Sequence, residues 1–235
     1  MTGTKPDAAR LRAYLAFAKA HPELFSNPDR GGFSILLNEV EIREAEAQQA
    51  NRLKANGGSA DWAQVGIAFE DQYLILLRDA VRFPDGSRGT YIRLLSSNPR
   101  VLGVAILPVY EGKVLLIRHF RHATRTWHVE IPRGFGTVSN SQASAREELW
   151  EEIRATFAGL IDLGEVYPNT GISSERVALF YAQIAEYGQP EADEAIAEIV
   201  PTPIPEFERM IGDGEVTDGF ALATYARAKA RGLLS

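Results

Sequence analysis

The sequence contains no cysteine among its 235 residues, and only two methionines. The absence of cysteine excludes a disulfide framework, a thiolate metal site and a cysteine nucleophile. No apolar run reaches the length of about 18 residues that a membrane-spanning helix needs. The short apolar stretch 11–20 carries Arg12 and Lys19 and is unlike a targeting signal. These absences favour a soluble protein of a reducing compartment, and we expect it in the cytoplasm.

An excess of basic charge is also missing. The chain has 25 Lys and Arg against 31 Asp and Glu, a formal net charge of −6, and no basic stripe. We therefore expect neither a nucleic acid nor a membrane as partner. With 45% hydrophobic residues the chain can bury a core, and its length allows one large domain or one domain with an extension.

Residues 1–58 are predicted to form an N-terminal helical extension. Leu11, Tyr14 and Leu15 recur at helical spacing. A second helix is predicted over 42–55 and is ended by an Asn-Gly-Gly sequence. It is polar on most faces. Such a helix either caps a neighbouring domain or pairs with another subunit, and the sequence leaves both open.

The pattern changes to strands from Trp62 onwards. Apolar or alternating runs are separated by turn residues, and they span 72–83, 90–95, 101–110 and 113–121. The first two runs flank Pro84-Asp85-Gly86 and predict a β-hairpin. We assign residues 59–98 to a β-rich segment and residues 99–235 to the main domain.

The stretch from Val129 to Ala155 carries the strongest functional signal. It contains a glycine turn followed by a predicted helix. Ser139 fits an N-cap, with Gln142 at capping-box spacing. Apolar residues at helical spacing predict a buried side made of Leu149, Trp150, Ile153 and Phe157.

Four glutamates are expected on the other side of this helix. They are Glu147, Glu148, Glu151 and Glu152. Like charges four residues apart destabilise a helix by about 0.2–0.5 kcal/mol per pair. A hard divalent cation such as Mg²⁺ would offset this repulsion, because it prefers oxygen ligands. The alternative is a solvated acidic face.

The segments PRGFG and AREELWEE resemble the Nudix box, in which a glycine and a loop precede an acidic helix. The resemblance implies that Glu148, Glu151 and Glu152 bind Mg²⁺, with Mn²⁺ as an alternative. A backbone carbonyl near Gly134 or Gly136 would complete the site. Glu152 is also implied as a catalytic residue.

Three positions depart from the family pattern. Glu147 stands where the family has an arginine, Arg154 replaces a glycine, and the loop glutamate near Ser139 is absent. The displaced arginine is Arg146. Since the family arginine orients the glutamates and the glycine closes the helix, reduced or lost activity is an alternative expectation.

The segment IRHFRHATRTWHVEIPR resembles the arginine-bearing strand of the ADP-ribose pyrophosphatase-like subgroup. The implied substrate-binding residues are Arg118, Arg121, Glu130 and Arg133. Arginine suits bidentate recognition of phosphate, and ordinary surface charge is the alternative. Arg118 and Arg121 are oddly spaced, so a regular strand needs a bend or bulge to bring them together. The three histidines of the segment lack a recognisable metal-ligand spacing.

A second resemblance lies after the box. The loop YPNTGISSER is similar to one that approaches the terminal ribose and phosphates in ADP-ribose-cleaving Nudix enzymes. It implies substrate-binding roles for Ser174, Glu175 and Arg176. A plain turn with an exposed ion pair is the alternative.

The acidic loop YGQPEADEAIAEIV follows, and in the family such a loop supplies a further glutamate. That glutamate acts as general base or metal ligand. Glu191 and Glu194 are the candidates, with Asp193 and Glu198 in reserve. A carboxylate beside a bound metal can orient or deprotonate water.

The resemblance therefore implies an α/β fold of mixed (α+β) character. We expect a Nudix α/β/α sandwich with a mixed sheet, preceded by a helical segment and a β-hairpin. The implied function is Mg²⁺-dependent hydrolysis of the pyrophosphate of ADP-ribose or a related nucleoside diphosphate sugar. The alternatives are an impaired module that binds a nucleotide sugar, and a hydrolase of a dinucleotide such as NADH. The family's dimerising hairpin implies a homodimer.

Overall fold

The computed structural model describes residues 7–98, 101–136, 140–190 and 194–234. The chain divides into two compact units. The first comprises Met1–Asn98 with Gly171–Ser174, and the second comprises Pro99–Thr170 with Glu175–Ser235. Within the described ranges, no helix is both long and apolar enough to cross a membrane.

The first unit is a four-stranded antiparallel sheet with two helices. Its elements are α1 (Asp7–Ala20), β1 (Ser34–Ile35), α2 (Glu39–Ala55), β2 (Gly66–Glu70), β3 (Leu74–Arg82) and β4 (Arg88–Ser96). β3 pairs with β4 along its whole length, and with β2 and β1 over separate stretches. The predicted hairpin at Pro84-Asp85-Gly86 is confirmed as the connection between β3 and β4. Gly86 has a φ of +82°, which glycine adopts without a steric cost.

The helices of this unit pack on the sheet that they accompany. Leu11 of α1 and Ile42 of α2 share a buried cluster with Leu77 of β3. α2 begins at Glu39, three residues before the predicted start at Ile42. The reason is that the side chain of Asn38 caps the helix by accepting hydrogen bonds from the first turn.

The second unit contains a seven-stranded mixed sheet and three helices. Its elements are β5 (Gly103–Tyr110), β6 (Lys113–Arg121), β7 (Thr126–Glu130), β8 (Arg133–Gly134), α3 (Ser141–Ile153), β9 (Thr156–Val166), β10 (Val177–Glu186), β11 (Ile196–Pro203), α4 (Ile204–Gly212) and α5 (Gly219–Ala230). The strand order is β11-β6-β5-β10-β9, with β7 paired to β6 and β8 paired to β5. β5 and β10 are parallel, and the other pairs are antiparallel.

Side chains on the two faces of this sheet form two separate buried cores. Ile106 of β5 faces one side, where it shares a cluster with Leu149 of α3. Leu107, the next residue, shares the opposite cluster with Phe207 of α4 and Ala221 of α5. Because successive strand residues point to opposite faces, helices cover both sides of the sheet. The predicted α/β/α layering is confirmed.

The two central antiparallel strands separate along their length. β5 and β6 pair only beside their connecting turn, at Val109 with Val114 and at Tyr110 with Lys113. Further along, β6 pairs with β7 and β5 pairs with β8. The candidate site lies where the strands have separated.

The acidic helix begins and ends differently from the prediction. Asn140 is the N-cap, and its side chain accepts hydrogen bonds from the backbone N–H groups of Gln142 and Ala143 at 3.0 and 3.3 Å. The predicted cap, Ser139, lies outside the described residues. α3 ends at Ile153, because the next residue turns into a left-handed conformation.

This earlier end changes the predicted buried side. Leu149 and Ile153 are fully buried, as predicted. Phe157 packs against the same cluster but belongs to β9 and not to the helix, and the prediction for Trp150 was wrong, because it is 50% exposed. The guanidinium carbon of Arg154 lies 5.0 Å from the centre of the Trp150 ring and forms a cation–π contact there.

Candidate active site

Glu152 is the most deeply buried acid of the helix. Its side chain is 2% exposed, and Oε2 accepts a hydrogen bond of 3.0 Å from the backbone N–H of Arg133. Burial raises the pKa of Glu152 well above its ordinary value, and the nearby charge of Glu148 adds to the rise. The sequence analysis placed Glu152 on the polar side of the helix, but its carboxylate is buried between α3 and the sheet.

Glu148 lies one helical turn before Glu152 and is half-buried. Burial raises its pKa to about 7, with further contributions from Glu151, Glu194 and Glu147. Glu194, which precedes β11, also raises the pKa of Glu152. The structure therefore brings the predicted loop acid Glu194 to the helix glutamates. The other loop candidate, Glu191, lies outside the described residues, as does the reserve Asp193.

Two glycines control how closely the backbone approaches this cluster. Gly134 pairs with Val104 at the start of β5, and a Cβ at position 134 would overlap the carboxylate of Glu148. Gly136 donates a backbone hydrogen bond of 3.2 Å to the carbonyl of Leu102, and a Cβ there would overlap that carbonyl. Only glycine fits either position without displacing its neighbours.

His119 is a site residue that the sequence did not reveal. It is 8% exposed, and its Nδ1 lies 3.9 Å from Oε1 of Glu152. Burial lowers the pKa of His119 to about 4, and Arg121 and Arg133 lower it further against the opposing charge of Glu130. Strand alternation could have indicated this position. Ile117 faces α3, and His119, two residues later in the same strand, faces the same side.

An ionic group adjoins the glutamates on the other side of Gly134. Nε of Arg121 donates a hydrogen bond of 2.7 Å to Oε2 of Glu130, and Nε of Arg133 lies 3.5 Å from the same oxygen. Nε of Arg133 also lies 3.6 Å from Oδ1 of Asp218. Burial opposes ionisation of Glu130, but the hydrogen bond from Arg121 and the surrounding positive charges lower its pKa overall.

Two nitrogens of these arginines face carboxylates without a well-aligned hydrogen bond in the described residues. Nη2 of Arg121 and Nε of Arg133 are buried and make no well-directed hydrogen bond there, although both lie close to carboxylate oxygens. Buried donors of this kind favour an additional acceptor. They adjoin a pocket of about 100 Å³ whose walls also include Glu175, Phe135 and Phe220.

The structure does not bring every predicted residue to this pocket. Arg118 is half-exposed, lies 3.6 Å from Glu198 and stacks on Trp127 at 5.5 Å. β6 pairs with β7 in regular register, so Arg118 and Arg121 point to opposite faces. Arg176 makes an exposed ion pair of 2.8 Å with Glu165.

Ser174 belongs to the first unit. Its backbone N–H donates a hydrogen bond of 3.2 Å to the carbonyl of Leu94 in β4. Residues 171–174 thus extend the edge of the first sheet, with Ser173 bridged to Leu94. Asp218 caps α5 by accepting a hydrogen bond of 2.9 Å from the backbone N–H of Ala221, and both Asp218 and Phe220 also contact Arg133.

The displaced arginine of the motif has a partner outside the acidic cluster. The guanidinium carbon of Arg146 lies 4.5 Å from the centre of the Phe157 ring. Glu147, at the position of the family arginine, is exposed and adds negative charge near Glu148. The acidic cluster therefore gains a like charge where the family pattern has a cation.

Comparison with known proteins supports the fold. No protein-family model matches the sequence, and no curated protein matches it. Among solved structures, the chain is similar to one described as an ADP compounds hydrolase, with a TM-score of 0.61 and 17% sequence identity. The match covers 71% of this chain and 90% of that one. The similarity supports the predicted mixed α/β fold.

Proposed function

We propose that the chain hydrolyses the pyrophosphate bond of ADP-ribose or a related nucleoside diphosphate sugar, with Mg²⁺, to give AMP and a sugar phosphate. The observation that carries the proposal is the position of the acidic cluster directly beside an arginine-lined pocket. Gly134 contacts the carboxylate of Glu148 and also lines the pocket. The similar solved structure is described as an ADP compounds hydrolase, which supports this substrate class.

The donor set of the cluster fits a hard divalent cation. Glu148, Glu151 and Glu152 supply carboxylate oxygens, and the raised pKa of Glu148 reflects burial among like charges that a cation would offset. Within the described ranges, no three acidic or histidine side chains lie close enough together to hold a metal ion as they stand, so these glutamates would have to draw together around it. When bound, Mg²⁺ would neutralise charge on the diphosphate and lower the pKa of a bound water. These three glutamates and a carbonyl near Gly134 or Gly136 would hold it.

The arginines would bind the diphosphate. A guanidinium presents paired N–H donors that match phosphate oxygens, and Arg121 and Arg133 both line the pocket, where their ion pairs with Glu130 hold them. The pocket of about 100 Å³ is well below the 300–1,000 Å³ typical of drug-sized ligands. It therefore fits one phosphate or sugar group, with the rest of the ligand extending along the surface.

Hydrolysis requires a positioned water as well as a bound diphosphate. Glu194 lies close enough to Glu148 and Glu152 to raise their pKa values, so its carboxylate can accept a hydrogen bond from a water at the cluster. The water attacks one phosphorus and passes a proton to the carboxylate of Glu194, the bridging P–O bond breaks, and its oxygen leaves with the other phosphate, so that AMP and the sugar phosphate separate. Glu152 is held in place by the backbone N–H of Arg133, which couples the acidic helix to the arginine pocket.

Glu152→Gln tests this proposal. We expect AMP formation from ADP-ribose at saturating Mg²⁺ to fall by at least about 100-fold, the usual loss for a positioned catalytic group. Glu206→Gln is the matched control, because Glu206 is exposed on α4 and pairs with Arg209. Full activity in Glu152→Gln would contradict the assigned role.

A second candidate is a nucleotide-sugar-binding module with impaired turnover. Two features favour it. Glu147 adds a negative charge where the family pattern has an arginine, and Arg146 contacts Phe157 and not the glutamates. This candidate would be supported if the chain binds ADP-ribose but hydrolyses neither ADP-ribose, nor other nucleotide sugars, nor NADH. Hydrolysis of NADH alone would instead indicate a dinucleotide hydrolase.

A further inference from the structure

Phe135 lies at the mouth of the pocket lined by Arg121 and Arg133. Its side chain is 79% exposed, the largest exposed fraction among the large apolar side chains of the described residues. Apolar and aromatic walls with a few polar groups are typical of small-molecule sites. The exposed ring is therefore a surface on which part of a ligand can pack.

The backbone makes a close contact on either side of Phe135. Gly134 lies against the carboxylate of Glu148, and Gly136 lies against the carbonyl of Leu102 with a hydrogen bond of 3.2 Å to it. These two contacts restrict the backbone on either side of Phe135. A side chain on a restrained backbone loses less conformational freedom on binding than one on a free loop.

Other aromatic rings near the site are already engaged. The guanidinium carbon of Arg133 lies 5.0 Å from the centre of the Phe220 ring. Trp127 contacts Arg118 at 5.5 Å and Phe120 at 5.4 Å. In the described part of the chain, Phe135 contacts no other ring or cation, so its faces are open to a ligand.

The chemistry around Phe135 defines the ligand class. Arg121 and Arg133 favour an anionic group, and the adjacent ring favours a flat aromatic one. We propose that Phe135 is a specificity-determining residue whose ring stacks on the base of a nucleotide ligand. This inference rests on the proposed function, since it assigns a place to the base of the same substrate. The chain should therefore bind nucleoside diphosphate compounds more tightly than diphosphates that lack an aromatic group.

Binding of AMP and of ribose 5-phosphate to the full chain tests the assignment by calorimetry in Mg²⁺. Phe135→Ala should weaken AMP binding by about 5- to 100-fold, the range of one base–aromatic stack. Ribose 5-phosphate, which lacks the base, should bind Phe135→Ala and the native chain equally. Phe135→Tyr should restore AMP binding, because it keeps the ring. Tyr73→Ala is the control, because Tyr73 is also exposed, at 68%, and lies in the first unit.

Three results would overturn the assignment. They are unchanged AMP binding in Phe135→Ala, an equal loss for AMP and ribose 5-phosphate, and no AMP binding by the native chain. An equal loss would place the sugar, and not the base, on the ring.

Failure of hydrolysis and failure of base stacking are separable. Ring-dependent AMP binding by a native chain that hydrolyses no nucleotide sugar would overturn the proposed function and retain the role of Phe135. Normal hydrolysis, together with AMP binding that does not depend on the ring, would retain the proposed function and overturn the role of Phe135.

Discussion

At the scale of single residues, Glu148 shows how the acidic cluster affects stability. Its pKa is about 7 in the folded chain and about 4.5 ordinarily, so the folded chain binds this proton more tightly than the unfolded chain. The resulting destabilisation is absent well below pH 4.5. It grows as the pH rises from 4.5 to 7 and is complete above pH 7.

Glu148→Gln should therefore stabilise the metal-free protein at pH 8. We expect a gain of about 1–2 kcal/mol in the free energy of unfolding, after allowing for solvent screening of this half-buried group. At pH 5 no more than about a quarter of the gain should remain. Urea unfolding in the presence of a chelator measures both values. Glu147→Gln, an exposed change on the same helix, should have a smaller effect, and equal gains in the two variants would contradict the burial argument.

Arg154 carries a conformational cost at the end of α3. Its φ and ψ are 48° and 37°, in the left-handed region that glycine adopts readily. Arg154→Ala and Arg154→Gly both remove the contact with Trp150, so their difference reports the backbone alone. Arg154→Gly should be more stable than Arg154→Ala by about 1 kcal/mol in chemical unfolding. Equal stability would show that the left-handed conformation does not determine the end of this helix.

Some residue positions could be predicted from the sequence and others could not. The spacing of Leu149 and Ile153 correctly indicated their burial, because they lie one turn apart. The same spacing could not show that Glu152 is also buried, since that depends on a hydrogen bond from Arg133, 19 residues earlier. The spacing of the histidines gave no sign that His119 lies beside Glu152, because residue type and spacing do not report a neighbour from another element.

At the scale of elements, the site depends on β8 coming close to α3. Gly134 is the point of contact, because its missing side chain leaves room for the carboxylate of Glu148. The strand patterns of β5 and β6 were evident from alternation, and so was the helical pattern of α3. The separation of β5 from β6 could not be predicted, because the pairing of strands and the short β8 give no periodic signal in the sequence.

Gly134→Ala should disturb this contact. The new Cβ would overlap the Glu148 carboxylate, which is the end of a flexible side chain and can move aside, so we expect a loss of no more than about 1 kcal/mol in the free energy of unfolding, together with weaker Mg²⁺ binding. Gly159→Ala in β9 is the matched control, because a Cβ there meets no atom within 4 Å. Similar stability and metal binding in the two variants would show that the close approach is unimportant.

At the scale of the whole molecule, the order of motifs along the chain predicted the fold better than any single motif. The acidic helix and the loop before β10 occur in the order that the sequence resemblance predicts, and the fold similarity supports the predicted mixed α/β sandwich. The predicted site is only partly assembled, since Arg118 faces the side opposite Arg121, and Arg176 pairs with Glu165 outside the pocket walls. Sequence resemblance indicates which residues occur in a motif, whereas strand direction decides which of them share a face.

The most direct test of the central claim is a product analysis of ADP-ribose incubated with the native chain and Mg²⁺. The proposed site predicts AMP and ribose 5-phosphate in equal amounts, with formation of both abolished by a chelator. Intact ADP-ribose after prolonged incubation, or equal turnover with and without the chelator, would contradict the claim that the acidic cluster and the arginine pocket form one metal-dependent hydrolytic site.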